Sequence, residues 1–97
     1  MVIAVARLDL SLAGCRSLKD KRQILRSIIE RSRARFQVAI AEVEDQDLWQ
    51  RAVLGVAYVS ANGGHAHEVI QKVTQFIAEA NPEAELLDVA EDLLAPF

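Results

Sequence analysis

The chain has 97 residues, 52% of them hydrophobic and 26% charged, and its formal net charge is −3 at pH 7. These values are typical of one soluble globular domain, spanning residues 1–97, with a modest core. No apolar run approaches the roughly 20 residues of a membrane span, and the single cysteine, Cys15, excludes an intramolecular disulfide. We therefore expect a cytoplasmic protein that contains no membrane segment.

Positive charge is concentrated in one segment. Residues 16–35, RSLKDKRQILRSIIERSRAR, hold eight Lys or Arg and two acidic residues, a local charge of +6 that leaves −9 on the remainder. A chain with this charge distribution can present a cationic surface while remaining acidic overall.

The first predicted element is a strand. Apolar residues recur with period two along one face: Val2, Ala4, Ala6, Leu8, Leu10 and Leu12. The opposite face begins with Ile3 and Val5 and becomes polar from Arg7 onward. This pattern is typical of a strand with one face in the core, and Ala13-Gly14 ends it.

A helix is predicted next. Ser17 is a favourable N-cap, and Asp20 three residues later completes a pair similar to a capping box. The helical spacing of the apolar residues predicts a helix from Leu18 to about Arg33 or Ala34. Basic residues follow one flank of this helix: Lys19, Arg22, Arg26 and Arg33.

The remaining pattern alternates strands and a helix. Alternation from Phe36 to about Glu44 predicts a second strand, and the apolar run from Ala52 to Ala61 predicts a third, central strand. A second helix follows Asn62-Gly63-Gly64 and ends at Asn81-Pro82, and Glu85 to Glu91 is a short final strand.

The order β-α-β-β-α-β predicts an α+β, ferredoxin-like sandwich. Its four-stranded antiparallel sheet would carry two helices on one face, with the first and third strands in the centre.

Two segments resemble a known family. SLKDKRQILRSI at 17–28 and VAIAEVEDQDLWQRAVLGVAYVS at 38–60 are similar to the characteristic blocks of the YlxP-like family, small bacterial proteins classed as a domain of unknown function. The resemblance covers essentially the whole chain. It implies a ferredoxin-like fold and supplies no catalytic residues. Members of this family are often encoded among transcription-elongation, translation-initiation and ribosome-maturation genes, which implies an accessory role in RNA metabolism.

The basic segment supplies the main candidate site. So dense a cationic cluster favours an anionic ligand, such as nucleic-acid phosphate, a nucleotide or an acidic protein surface. The predicted anion-binding residues are Arg16, Lys19, Lys21, Arg22, Arg26 and Arg33, with Ser17 capping the helix. The alternative is a solvated helix face whose arginines pair with Asp20, Glu30 and acidic neighbours.

If RNA is the ligand, phosphate contact is the expected mode. Ferredoxin-like RNA-recognition domains stack bases on aromatic residues of their central strands. Here the first strand has no aromatic residue and the third has only Tyr58. We therefore expect a duplex or folded RNA to be contacted by helix arginines.

The loop between the second and third strands is a second candidate. It contains the only tryptophan, Trp49, followed by Gln50 and Arg51. Trp and Arg dominate the hot spots of protein interfaces, so these three residues are a candidate partner interface. The alternative is that Leu48 and Trp49 fold back as a lid on the core.

The uncovered sheet face favours a homodimer. Ile3 and Val5 would lie beside Gly55, Ala57 and Val59, or beside Leu54 and Val56 in the other register. Either register leaves apolar area that two helices on the other side do not cover.

The residues favour binding over catalysis. His65 and His67 would point to different sides of a helix, so we predict no metal site, and no motif indicates a cofactor. The strongest catalytic reading is an acylphosphatase-like hydrolase in which Arg16 binds phosphate and Asn62 orients a water molecule. We predict instead an accessory factor for structured RNA or a ribosome-associated complex, with a protein-interaction or anion-sensing module as the alternative.

Overall fold

The computed structural model describes residues 1–97 and consists of one four-stranded antiparallel sheet and two helices. The elements in chain order are β1 (Val2–Ser11), α1 (Leu18–Phe36), β2 (Ala39–Glu44), β3 (Arg51–Ser60), α2 (Gly63–Glu79) and β4 (Glu85–Leu94). The strand order β2-β3-β1-β4 places β1 and β3 in the centre. The predicted ferredoxin-like arrangement is confirmed.

Helix α1 continues farther than predicted, and β2 begins later. Phe36 is the last residue of α1, and Gln37 ends the helix in the left-handed region (φ 55°, ψ 40°) while its backbone N–H donates to the Arg33 carbonyl. The Phe36 ring packs edge-on against Phe76 of α2, with 5.6 Å between centroids. The assignment of Phe36 to a strand was wrong because this contact between the two helices stabilises the last turn of α1.

The core lies between the sheet and the two helices. Leu8 and Leu10 of β1 are fully buried, as are Ile28 of α1 and Ile77 of α2. Strand β4 extends to Leu94, beyond the predicted end at Glu91, because it pairs with β1 along nearly its whole length. Neither helix has the length and hydropathy required to cross a bilayer.

The other sheet face carries no helix. Its register places Val5 opposite Ala57 and Ile3 opposite Val59, the first of the two predicted registers. Val59 is 60% exposed. One half of this face is therefore apolar and uncovered. The other half carries Arg7, which reaches across β3 to Glu44 at 2.6 Å.

Candidate interaction surface

The start of α1 is capped as the sequence indicates. The Asp20 backbone N–H donates to Ser17 Oγ at 3.1 Å, and the Arg16 backbone N–H donates to Asp20 Oδ2 at 3.1 Å. Because these amide groups already have partners within the chain, basic side chains set the character of the surface here.

Four cationic side chains are exposed just before α1 and along its first three turns. They are Arg16, Lys19, Arg22 and Arg26, which together form what we call the basic surface. The ion pairs within 4 Å involve other cations: Arg7, Lys21, His67 and Lys72. None of the basic-surface arginines forms an ion pair with Asp20 or Glu30 within 4 Å.

Lys21 does not belong to the basic surface. Its side chain is 1% exposed, and Nζ lies 2.6 Å from Glu42 Oε2. The same ammonium donates to the backbone carbonyls of Asp45 and Leu48, each at 2.7 Å. A buried ammonium that is hydrogen-bonded to two carbonyls and ion-paired with a carboxylate is not accessible to a surface ligand, so the prediction that Lys21 binds an anion is wrong.

The sequence contained a signal for the burial of Lys21. Lys21, Leu25, Ile28 and Ser32 are the buried residues of α1, and they follow one another at intervals of four, three and four residues. This spacing is the helical period of a core-facing stripe. The positive charge of Lys21 obscured its position on that stripe.

The basic residues at the carboxyl end of α1 are engaged in packing. Arg33 donates to the Ile40 carbonyl at 2.8 Å, and Arg31 donates to the Ala80 carbonyl at 2.9 Å. The Arg35 guanidinium lies 5.2 Å from the centroid of the Phe76 ring. Arg33 remains exposed on the predicted flank, but its hydrogen bond joins α1 to β2.

The loop from Asp45 to Gln50 is held against the start of α1. In addition to the Lys21 contacts, Gln50 Nε2 donates to the carbonyls of Ala13 and Cys15, each at 3.2 Å. The structure therefore brings together the two regions that the sequence singled out, the basic segment and the Trp49 loop. Gln50 contributes by fixing the loop, since its amide group points into the protein.

Trp49 is not a lid on the core. Its side chain is 51% exposed, Leu48 is 50% exposed, and neither belongs to the hydrophobic core. Together with Asp47, Gln50 and Arg51 they line an open groove of about 620 Å³. An exposed Trp beside an exposed Arg is the composition expected of an interaction site.

The two residues of the hydrolase alternative lie at opposite ends of the sheet. Arg16 follows the end of β1, whereas Asn62 follows the end of β3, which pairs with the beginning of β1. The ten residues of β1 separate these ends by roughly 30 Å. Asn62 Oδ1 also accepts the His65 backbone N–H at 2.9 Å as the N-cap of α2. The two side chains therefore do not meet at one phosphate.

The two histidines have separate partners. His65 Nε2 lies 3.3 Å from the Tyr58 hydroxyl, and His67 Nδ1 lies 3.4 Å from Glu91 Oε2. No group of three or more His, Cys, Asp or Glu side chains is placed to hold a metal ion. Cys15 is buried at 2% exposure, and desolvation, followed by the nearby Asp20 carboxylate, raises the pKa of its thiol. A raised pKa opposes thiolate chemistry at neutral pH.

Sequence comparisons identify relatives along nearly the whole chain. Residues 3–91 match the family described as "Protein of unknown function (DUF503)". The uncharacterized protein YlxP of Bacillus subtilis (strain 168) is 36% identical over 84 residues, which cover 87% of this chain and 90% of that protein.

Two solved structures are similar in fold. A de novo designed protein with a ferredoxin fold has a TM-score of 0.60 and 10% identity, covering 98% of this chain and 87% of the designed one. A proposed antibiotic biosynthesis monooxygenase of Deinococcus radiodurans has a TM-score of 0.52 and 19% identity, covering 100% of this chain and 93% of that protein. At these identities the likeness concerns the fold alone.

Proposed function

The chain belongs to the DUF503 family of proteins of unknown function, and we propose that it is a non-enzymatic accessory factor that binds structured RNA or a ribosome-associated complex. The contact is made by the basic surface of Arg16, Lys19, Arg22 and Arg26, with Arg33 farther along the same flank. The proposed location is the cytoplasm, where such RNA is found.

One observation supports this proposal above the others. The basic surface is exposed and forms no ion pair within 4 Å, although the chain carries 14 acidic residues. Acidic partners are therefore available within the molecule but are not placed against these four cations. Unpaired cations on one flank suit the closely spaced phosphates of a folded RNA, and binding would release condensed counterions.

A protein-interaction or anion-sensing role is the second candidate. It is favoured by Leu48 and Trp49, which are about half exposed and present apolar area in the loop between β2 and β3. A partner bound mainly through these two residues would resist salt, because an apolar contact is not screened.

The basic surface is tested by the double variant Arg22→Ala/Arg26→Ala. We expect it to lose most of the affinity for ribosomal RNA fragments at low salt, measured by fluorescence anisotropy of labelled RNA. Lys72→Ala is the control, because Lys72 is an exposed helical cation, 64% accessible, outside the basic surface. Equal binding by the double variant and Lys72→Ala would contradict the proposal.

We also propose that two copies associate through the apolar half of the open sheet face. This area contains three half-buried residues, Ile3, Val5 and Ala57, and three exposed ones, Val43, Val59 and Leu94. They lie on the side of the sheet opposite α1, so a dimer formed here leaves both basic surfaces accessible.

The dimer is tested by light scattering coupled to gel filtration. Wild-type protein should elute with twice the mass of one chain. Val59→Glu should elute as a monomer, because a carboxylate would be desolvated in the interface. A wild-type monomer at high concentration would contradict a dimer, and a dimeric Val59→Glu would place the interface elsewhere.

A further inference from the structure

Strand β4 is an edge strand whose outer side has no neighbour. The strand order β2-β3-β1-β4 places it at one margin of the sheet, and it pairs with β1 along nearly its whole length. All ten of its residues are exposed or half-buried. Outside the ladder with β1, its backbone makes one hydrogen bond, from the Leu93 N–H to the adjacent Asp92 carboxylate at 2.8 Å. The free edge of β4 is therefore open to a further strand.

The hydrogen-bond pattern of the sheet identifies the backbone groups at this edge. Successive residues of an antiparallel strand direct their N–H and C=O groups to opposite sides. The Leu12 N–H donates to the Gln50 carbonyl on the β3 side, so the odd-numbered residues of β1 direct these groups to β4. Their partners in β4 are Asp88, Ala90 and Asp92. The N–H and C=O groups that point away from the sheet therefore belong to Val89, Glu91 and Leu93.

An open cavity lies beside the free edge, between β4 and α2. Its volume is about 350 Å³, and its lining is apolar at Ala4, Ile70 and Leu93. Glu91 and His67 also line it and connect the two elements, because His67 Nδ1 lies 3.4 Å from Glu91 Oε2. Side chains alternate between the two sides of a strand, so a strand added to β4 would direct every second side chain toward this cavity.

The charge on β4 is entirely negative. The chain has no Lys or Arg after Lys72, and the acidic residues of β4 are Glu85, Asp88, Glu91 and Asp92. Asp88 and Asp92 form no ion pair within 4 Å. Their partners in β1 are Asp9 and Val5, which place both carboxylates on the side of the sheet that carries no helix. The edge therefore combines unpaired carboxylates on one side with an apolar cavity on the other.

A second copy of this chain does not suit the edge. Pairing of two β4 strands would bring four acidic side chains against four, and like charges on opposed strands are destabilising. The other free edge, β2, is also acidic at Glu42 and Glu44, and Arg33 already occupies its Ile40 carbonyl. The charge complementary to β4 is instead that of an extended segment with Lys or Arg at alternate positions.

We propose that β4 binds an extended basic segment of a partner protein as a fifth strand of the sheet. Apolar side chains of the segment enter the cavity beside α2, and the intervening Lys or Arg side chains face Asp88 and Asp92. The backbone groups of Val89 and Glu91 bind the main chain of the segment. This edge lies at the opposite margin of the sheet from β2, which Arg33 contacts, so it can be tested separately from RNA binding.

The probe is a capped, fluorescently labelled peptide of about nine residues that alternates Lys with Val, long enough to span β4. Binding to the full-length protein is measured by fluorescence anisotropy at physiological salt. Two control peptides accompany it, one with Glu in place of Lys and one that keeps Lys but is N-methylated along its backbone. We expect the Lys–Val peptide to bind and both controls to fail, because the first repels β4 and the second lacks N–H donors.

Variants then locate the peptide on β4. Asp88→Lys/Asp92→Lys should weaken binding of the Lys–Val peptide by about 10-fold, the effect of inverting two cross-strand charge pairs, and should allow the Glu–Val peptide to bind. Glu30→Lys/Asp47→Lys makes the same change in net charge at exposed positions outside β4 and should bind like the wild type. Val89→Pro should abolish binding while the protein stays folded, because it removes an N–H that points away from the sheet.

Amide hydrogen exchange, followed by NMR, tests strand addition on the wild-type protein. The N–H groups of Val89 and Glu91 should exchange rapidly in the free protein and slowly with the Lys–Val peptide bound, whereas those of Asp88 and Ala90 should be protected in both states. Binding without protection of Val89 and Glu91, or equal binding of the N-methylated peptide, would indicate charge attraction alone and overturn strand addition. No binding of the Lys–Val peptide, or equal weakening by the two double variants, would also overturn the proposal.

Discussion

Lys21 shows how one buried charge organises the candidate interaction surface. Its ammonium joins α1 to Glu42 of β2 and to the loop that carries Trp49. Burying an ammonium is favourable only when it is compensated, and here two carbonyls accept hydrogen bonds from it while the Glu42 carboxylate balances its charge. Lys21 therefore fixes the position of the loop, although the charge pattern predicts that this residue binds a ligand.

Replacement of Lys21 should destabilise the whole domain. Lys21→Met keeps the aliphatic stem but leaves Glu42 and two carbonyls without their donor, which should lower the free energy of unfolding by about 3 kcal/mol. Urea denaturation followed by circular dichroism measures this change. Arg22→Ala is the control, because an exposed, unpaired side chain should alter stability by no more than about 0.5 kcal/mol. Equal stabilities of the two variants would show that the Lys21 network is unimportant for folding.

Glu44 should contribute to the acid stability of the protein. The hydrogen bond from Arg7, and then its positive charge, lower the pKa of Glu44. A carboxyl group with a lowered folded-state pKa stabilises the fold above its unfolded pKa, and this contribution is lost as the pH falls through the folded value. Glu44→Gln should therefore reduce the difference in the free energy of unfolding between neutral and acidic pH. Urea denaturation at each pH measures this difference. If Glu44→Gln lost as much stability on acidification as the wild type, this role for Glu44 would be contradicted.

At the scale of elements, side chains protect the free edge of β2. Arg33 donates to the Ile40 carbonyl at 2.8 Å, and Gln46 donates to the Glu42 carbonyl at 3.3 Å. Ile40 and Glu42 are two residues apart, so their carbonyls point to the same edge of the strand. Occupied acceptors on an edge strand oppose pairing with another chain.

Arg33 should therefore behave differently from the other arginines of its flank. Arg33→Ala should lower the free energy of unfolding by about 1 kcal/mol, the usual value of one hydrogen bond. Thermal denaturation beside Arg26→Ala measures the difference, since Arg26 has no partner within the protein. Identical melting temperatures would mean that the Arg33 contact does not persist in solution.

The elements were predictable to the extent that local pattern determines them. Period-two alternation located β1, and the Ser17 and Asn81-Pro82 signals bounded the helices closely. Phe36 was misassigned because its alternation with Val38 satisfies a strand locally, whereas its packing on Phe76 of a distant helix is a tertiary contact. Lys21 was predicted to be a surface residue because it is charged, whereas its position on the core-facing stripe of α1 buries it. The approach of the loop that carries Trp49 to the start of α1 depends on long-range contacts that no local pattern encodes.

At the scale of the whole molecule, the two proposed surfaces are separate. The basic surface lies on α1 and continues to the loop at the Ser11 end of β1, whereas the apolar half of the open face lies toward Val2, on the other side of the sheet. A dimer through that face would carry two basic surfaces. Two RNA segments, or two parts of one folded RNA, could then be held together with increased avidity.

The salt dependence of RNA binding tests the central claim most directly. For wild-type protein and a structured ribosomal RNA fragment, the logarithm of the association constant should fall linearly with the logarithm of the salt concentration. The expected slope is about −3 to −4 for four phosphate contacts. Arg22→Ala/Arg26→Ala should make that slope shallower by about 2. A double variant with the wild-type slope, or a wild-type protein that does not bind at low salt, would contradict RNA binding through the basic surface.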